Sequence, residues 1–268
     1  IYWFSVQYYH IFYVFPLLIM QKKFDVTQKI KTKYSEIYKK IDKEDEHTIK
    51  FSNFKTNKKK VLIIGNSHAE DLYSTLKLLE NKLDNLEFGY YQFQNNINIK
   101  KFLKKKVYIN ADIIIYTRRY DLTIKQEINQ LEKLIDQINY KKKFILINNS
   151  PEFFSRNLTV VEYILSISNL NKMSSKGEII HSINRKSFEL LSNKKKQINN
   201  ELKKFSKKNN LIFYDNYEVT CEIVKKLCYV IDEDFNQLYA DYGHLTKKGH
   251  IFFSEKIYRS KWLIKSLF

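Results

Sequence analysis

Five short apolar runs recur along the chain, and most of the intervals between them carry apolar residues at helical spacing. Val61 to Ile64 ends at Gly65, as a buried parallel strand does when both its faces are covered. Leu72, Leu76 and Leu79 then mark a helix over residues 71–83. Further strands are expected at Phe88 to Phe93, Ala111 to Tyr116, Phe144 to Ile147 and Leu211 to Tyr214. An amphipathic helix over 122–140 carries Ile124, Ile128, Leu131, Leu134, Ile135 and Ile138 on one side. Residues 181–207 read as helical and basic, and Thr246 to Leu267 as a C-terminal helix. This alternation predicts an α/β fold: three layers, with a parallel sheet of about five strands covered by helices on both faces and joined by right-handed crossovers. Active sites in such sheets lie beyond the carboxyl ends of the strands.

The pattern differs before Val61. Ile1 to Met20 holds no Asp, Glu, Lys or Arg, and as a helix it would be about 30 Å long, enough to cross a bilayer core. Trp3, Tyr8, Tyr9 and Tyr13 suit a membrane interface, and Lys22 and Lys23 follow as edge anchors, while Gln7, His10 and Pro16 interrupt the run. No basic start or small-residue cleavage site marks a signal peptide. Two readings stand: the end of a membrane domain, or an apolar helix packed on the soluble part. Because the sequence begins at Ile1, the expected division is a membrane-spanning or membrane-proximal segment at 1–21 belonging to a longer protein, a polar connecting arm at 22–58, and a catalytic-type domain at 59–268.

Composition changes this picture little. The 268 residues carry 47 Lys+Arg against 29 Asp+Glu, a formal charge of +18, which invites a nucleic-acid reading. Only Arg118, Arg119, Arg156, Arg185 and Arg259 supply guanidinium groups, whereas specific phosphate and base recognition favours that planar fork. Nucleic acid is therefore not expected as a partner. The Lys runs 57–60, 104–106, 141–143 and 194–196 read as solvated faces that favour anionic glycans or headgroups.

Two segments carry chemistry. Gly65-Asn66-Ser67-His68 follows the first strand and precedes the first helix. There the unpaired amides and dipole of the helix start can hold an oxyanion beside the serine. The plainer reading is a corner in which Asn66 or Ser67 caps the helix. Asp241-Tyr242-Gly243-His244 precedes the last helix, its carboxylate and imidazole separated by a Gly-containing turn. A serine needs a base to take its proton and a third group to orient that base. Ser67, His244 and Asp241 supply those roles in that order; otherwise His244 and Thr246 only begin a helix.

Together these segments resemble the SGNH hydrolase superfamily, whose Gly-Asp-Ser block follows the first strand and whose Asp-x-x-His block precedes the last helix. The closer likeness is to the SGNH domain fused behind membrane acyltransferases that O-acetylate bacterial surface polysaccharides. His68 after the serine, His244-Leu245-Thr246 followed by Gly249, and the upstream pair Cys221 and Cys228 point there. The resemblance implies a flavodoxin-like SGNH hydrolase fold over about 59–268. It implies an O-acyltransferase or esterase without cofactor or metal, a carbohydrate acceptor, and an acyl donor delivered by a membrane domain. It places the domain outside the cytoplasm, in the periplasm or at the cell surface. The rival is a non-catalytic, membrane-tethered glycan-binding module.

This chain also departs from the pattern. Asn66 replaces the usual Asp, which keeps an acceptor but loses a charge. The second-block glycine has only Gly89 as a candidate, and the third-block Gly-x-Asn is absent. After the third strand stands Thr117-Arg118-Arg119-Tyr120, where the fused relatives also carry an Arg; Arg119 aligns with it and is expected, with Gly65, Asn66 and Ser67, at the oxyanion or substrate site. Both arginines also read as ordinary surface charges. Cys221 and Cys228, with six residues between them, lack a second ligand pair for metal. A disulfide suits an extracytoplasmic domain, and the fused relatives carry a Cys pair here as well; two buried free thiols are the alternative. His68 is expected to pack rather than face the pocket, and His10, His47, His181 and His250 to be structural or exposed.

Overall fold

The computed structural model describes residues 51–52, 54–92, 99–138, 141–155, 158–168 and 175–268. The apolar start and most of the connecting arm lie outside the described residues. Among the described residues no helix is long and apolar enough to cross a membrane.

The strands are β1 (Phe51–Ser52), β2 (Lys59–Gly65), β3 (Leu86–Gln92), β4 (Ile113–Tyr116), β5 (Lys143–Ile147) and β6 (Ile212–Tyr214). They form one sheet in the order β1-β3-β2-β4-β5-β6, with β1 antiparallel at the edge and the other five parallel. The parallel strands alone have the order 2-1-3-4-5, the flavodoxin-like arrangement. Gly89 pairs with Leu62 in the middle of β3.

The run Val61-Leu62-Ile63-Ile64 is fully buried, and the strand's period of two sends alternate residues to opposite faces. Val61 and Ile63 join Leu72, Tyr73 and Leu76 of α1 (Ser67–Lys77), together with Trp262 to Leu267 at the C-terminus. Leu62 and Ile64 join Leu131 and Leu134 of α4 (Ile124–Ile135), and Ile198 and Leu202 of α7 (Asn193–Lys208). The short helices α2 (Ile99–Phe102) and α3 (Lys106–Ile109) close the same face. Each fully buried Leu or Ile stabilises this sandwich by about 1.5–3 kcal/mol.

A third apolar cluster, not foreseen from periodicity, lies under the segments after β5. It joins α5 (Val160–Ile167), α6 (Lys176–Glu189), α8 (Tyr217–Thr220) and α9 (Lys247–Ser260) to the hairpin β7–β8 (Cys221–Glu222, Leu227–Cys228). The basic stretch at 181–207 is helical, as expected, but in two pieces. Phe154 N donates to Leu190 O at 2.8 Å and Ser192 N to Glu152 O at 2.9 Å, so the 190–192 backbone serves the strand-like segment 152–154. The chain stops at α6 there and restarts at Ser192, whose side chain caps α7.

The helix boundaries follow caps rather than apolar spacing. The helix expected from Asp71 begins at Ser67, because Asn66 caps it. The one expected over 122–140 runs only from Ile124 to Ile135, with Thr123 and Gln126 forming a capping box. The C-terminal helix ends at Ser260, where Lys261 turns left-handed, and a 3-10 turn (Ile264–Ser266) follows.

Cys221 and Cys228 face each other across the hairpin and form a disulfide, so the free-thiol alternative is not the state observed. Replacing both by alanine is expected to lower the unfolding free energy by about 2.5 kcal/mol, the loop-closure value for so short a ring. Urea denaturation of the two proteins measures it, and an unchanged midpoint would contradict it.

Candidate active site

The site is built at the carboxyl end of β2. Gly65 has φ +154°, and a Cβ there would lie 1.7 Å from the Thr117 carbonyl oxygen, so the strand ends of β2 and β4 approach as only glycine permits. Asn66 then does two things. As N-cap of α1 its Oδ1 accepts from His68 N at 3.4 Å. The same oxygen accepts from Arg119 N at 2.7 Å, while Asn66 Nδ2 donates to Arg119 O at 3.1 Å. The capping reading of this corner is therefore correct for Asn66, and the same side chain also fastens the loop after β4. Ser67 is left at the first helical position, where backbone amides lack intrahelical partners and the dipole is positive.

The other half comes from the loop before α9. Asp241 Oδ1 accepts from the amides of Gly243 and His244, both at 2.7 Å, which folds the segment into an Asx-type turn. Its Oδ2 lies 2.7 Å from His244 Nδ1, and His244 Nε2 lies 2.9 Å from Ser67 Oγ. Burial works against the charge of Asp241, but the bonds from the His244 ring and from the two amides outweigh it and hold the carboxyl below its usual range. An ionised Asp241 accepts a hydrogen bond from Nδ1–H, which keeps that proton on Nδ1 and leaves Nε2 free to accept the serine proton. Thr246 caps α9 by accepting from Gly249 N at 2.9 Å, and a Cβ at Gly249 would meet Leu238 O at 2.1 Å. The position of His244 is thus fixed by the helix that follows it.

The two arginines part company. Arg118 is 2% exposed and donates to Gln130 Oε1 at 3.1 Å, beside Glu127. It is buried against α4, which excludes the surface-charge reading. Arg119 stays at the site. Its Nε lies 3.1 Å from Glu152 Oε1 and 3.1 Å from Asp121 Oδ1, Nη1 donates to Tyr242 Oη, and the guanidinium covers the Tyr242 ring at 4.8 Å. Lys195 completes the cluster with contacts to Tyr120 O at 2.8 Å, Asp121 Oδ1 at 2.9 Å and Glu152 Oε1 at 3.1 Å. Lys195 belongs to a Lys run expected to be solvated, yet its side chain is only 6% exposed. The reason is three oxygens converging where α7 begins. Asn149 Oδ1, accepting from Tyr120 N at 3.0 Å, holds the same loop from β5.

His68 packs, as the sequence suggests: it is 1% exposed, meets His244 edge-on at 5.6 Å, and neither ring nitrogen has a hydrogen-bond partner among the described residues. Burial, with the neighbouring His244, Lys195 and Arg119, holds its pKa well below the usual value, so the ring is neutral. Among the described residues, no group of His, Cys, Asp and Glu could hold a metal ion.

Sequence reasoning missed Glu152, Asp121, Lys195, Tyr242 and Asp71. Glu152 and Tyr242 had a signal: one follows the carboxyl end of β5, and the other lies inside the Asp-x-x-His block. The rest had none.

Asp71 stands one turn after Ser67, with Oδ1 3.6 Å from His250 Nε2, while His250 Nδ1 meets Thr75 Oγ1 at 3.0 Å. Burial raises Asp71 to about 8 against the pull of His244 and the Leu245 amide, and burial lowers His250 to about 4. A carboxyl whose folded pKa exceeds its unfolded value, about 3.9, withdraws stability as pH rises between the two. Asp71→Asn is therefore expected to gain stability over wild type progressively from about pH 4 to about pH 8, then to keep a constant advantage. His250 acts in the opposite sense, since its stabilisation is lost as pH falls from about 6.5 through about 4. Thermal unfolding of both proteins across this range tests the sign; a pH-independent difference would contradict it.

The family described as "SGNH domain (fused to AT3 domains)" matches residues 36–259. The periplasmic domain of a lipopolysaccharide acetyltransferase from Salmonella ser. Paratyphi A is similar in fold, with 18% identity, a TM-score of 0.55, and coverage of 77% of this chain and 85% of that one. A putative acylhydrolase from Bacteroides fragilis aligns at 13% identity and TM-score 0.47, over 81% of this chain and 92% of its own. No curated protein sequence matches the chain.

Proposed function

Because the chain belongs to the family of SGNH domains found fused to AT3 domains, we propose that it is a serine-dependent O-acyltransferase or esterase domain. Its substrate would be the hydroxyl of a cell-surface polysaccharide outside the cytoplasm. One observation carries this reading: the hydrogen-bonded chain from Asp241 through His244 to Ser67 Oγ.

Ser67 Oγ attacks the carbonyl carbon of an acyl ester while its proton passes to His244 Nε2. Asp241 is a positioning residue that keeps the Nδ1 tautomer and stabilises the imidazolium. The developing oxyanion is met by the Ser67 amide at the positive end of α1, with Arg119 beside it as a second donor. His244 returns the proton to the departing alcohol, leaving an acyl ester on Ser67. A sugar hydroxyl then attacks that ester, His244 takes its proton, and the Ser67 oxygen leaves. Membership of the AT3-fused family supports transfer to a sugar over transfer to water, with the acyl group supplied by a membrane acyltransferase domain.

The test is turnover of p-nitrophenyl acetate by wild type and Ser67→Ala, with and without a polysaccharide acceptor. The variant is expected to lose on the order of 10³-fold or more in kcat with little change in folding. Equal activity in the two proteins would remove the triad. Ester release that the acceptor leaves unchanged, with no acylated sugar formed, would make the domain an esterase.

A further inference from the structure

A cleft of about 480 Å³ opens beside the site, within the ~300–1,000 Å³ that ligand sites occupy. Arg119, Glu152, Tyr242, Phe154, Leu190 and Asn193 are among the residues that line it. The break between α6 and α7 contributes Leu190, Leu191 and Ser192 to its lining, bonded there to Glu152 and Phe154.

Three features define what this cleft accepts. Glu152 has a side chain only 8% exposed, and its Oε1 is held by Arg119 and Lys195. Its Oε2 makes no hydrogen bond to any described residue, yet it is not among the atoms sealed from solvent. A carboxylate oxygen fixed in the lining of a cleft in this way is a ready acceptor for a ligand hydroxyl. Phe154, also in the lining, is 57% exposed and offers an aromatic surface to a ligand. Charge is balanced, because Arg119 and Lys195 stand against Glu152 and Asp121. A hydroxyl-rich ring with an apolar C–H face and no charge satisfies all three; an anionic ligand gains no uncompensated cation here.

Two of the residues that line the cleft, Arg119 and Tyr242, also adjoin the triad. Tyr242 borders it and lies 6.2 Å, ring to ring, from His244, while the Arg119 backbone is fastened to Asn66 beside Ser67. We propose that this cleft is the acceptor subsite, taking a neutral sugar ring with Glu152 Oε2 on a hydroxyl and Phe154 against the ring face. The inference rests on the acyl-transfer reading of the site. In the step it serves, the sugar O–H attacks the acyl carbon on Ser67. Its proton goes to His244 Nε2, the Ser67 Oγ–acyl bond breaks, and the serine takes that proton back.

The experiment measures acetyl transfer from p-nitrophenyl acetate to a panel of neutral oligosaccharides (cello-, xylo- and chito-oligosaccharides), with acetylated sugar read by mass spectrometry. Phe154→Ala is expected to raise the acceptor KM about tenfold, the equivalent of about 1.4 kcal/mol, and to shift product from acetylated sugar towards acetate. Phe154→Trp is expected to keep the wild-type KM, which a merely structural role for Phe154 does not predict. Glu152→Gln is expected to weaken the acceptor as well. An unchanged acceptor KM in Phe154→Ala, or no transfer to any sugar of the panel while ester hydrolysis still depends on Ser67, overturns the subsite and leaves the triad standing. Ester turnover that survives Ser67→Ala overturns the acyl-transfer reading itself.

Discussion

The site depends on how closely the ends of β2 and β4 approach each other. A Cβ at Gly65 would lie 1.7 Å from Thr117 O, so this contact exists only because residue 65 has no side chain. Asn66 then uses both ends of its amide on the Arg119 backbone, so one residue caps α1 and anchors the loop after β4. The serine, the arginine and the helix dipole are consequently held in one frame, and none of them depends on a flexible surface loop for its position. An aspartate at 66 would accept from Arg119 N but could not donate to Arg119 O while ionised. The asparagine therefore supplies a bond that the superfamily's usual residue does not.

Around that frame the charges are arranged in compensating layers. Glu152 stands between Arg119 and Lys195, Asp121 is shared by the same two cations, and His68 fills the space beneath as a neutral ring. Removing one member of such a cluster leaves a buried charge unpaired, and that costs more than the pair itself contributes. Asp241 is kept ionised by local hydrogen bonds, from the amides of Gly243 and His244 and from the His244 ring. The result is one basic nitrogen aimed at one hydroxyl.

The legible parts of this arrangement were local in sequence. The run Val61 to Ile64 announced a buried strand because both of its faces are covered, and Gly65-Asn66-Ser67 and Asp241 to His244 were visible because each is a contiguous turn. The break at 190–192 was not legible, since its cause is the 152–154 segment, nearly forty residues away, taking over the backbone hydrogen bonds. Lys195 was hidden in a run of three lysines whose other members carry no such contacts. Asp71 and His250 meet across two helices, and no spacing rule pairs them. The overall charge of +18 pointed nowhere useful, because the chemistry rests on a few groups whose partners lie far away in sequence.

The central claim is that Ser67 carries the acyl group between donor and acceptor. Rapid acid quenching of the protein during turnover of p-nitrophenyl acetate, followed by peptide mass spectrometry, tests it most directly. The account predicts one acetyl group on the peptide containing Ser67, formed in a burst and lost when a sugar acceptor is added. Steady turnover with that peptide unmodified, or acetylation at another residue that persists after acceptor addition, would contradict it.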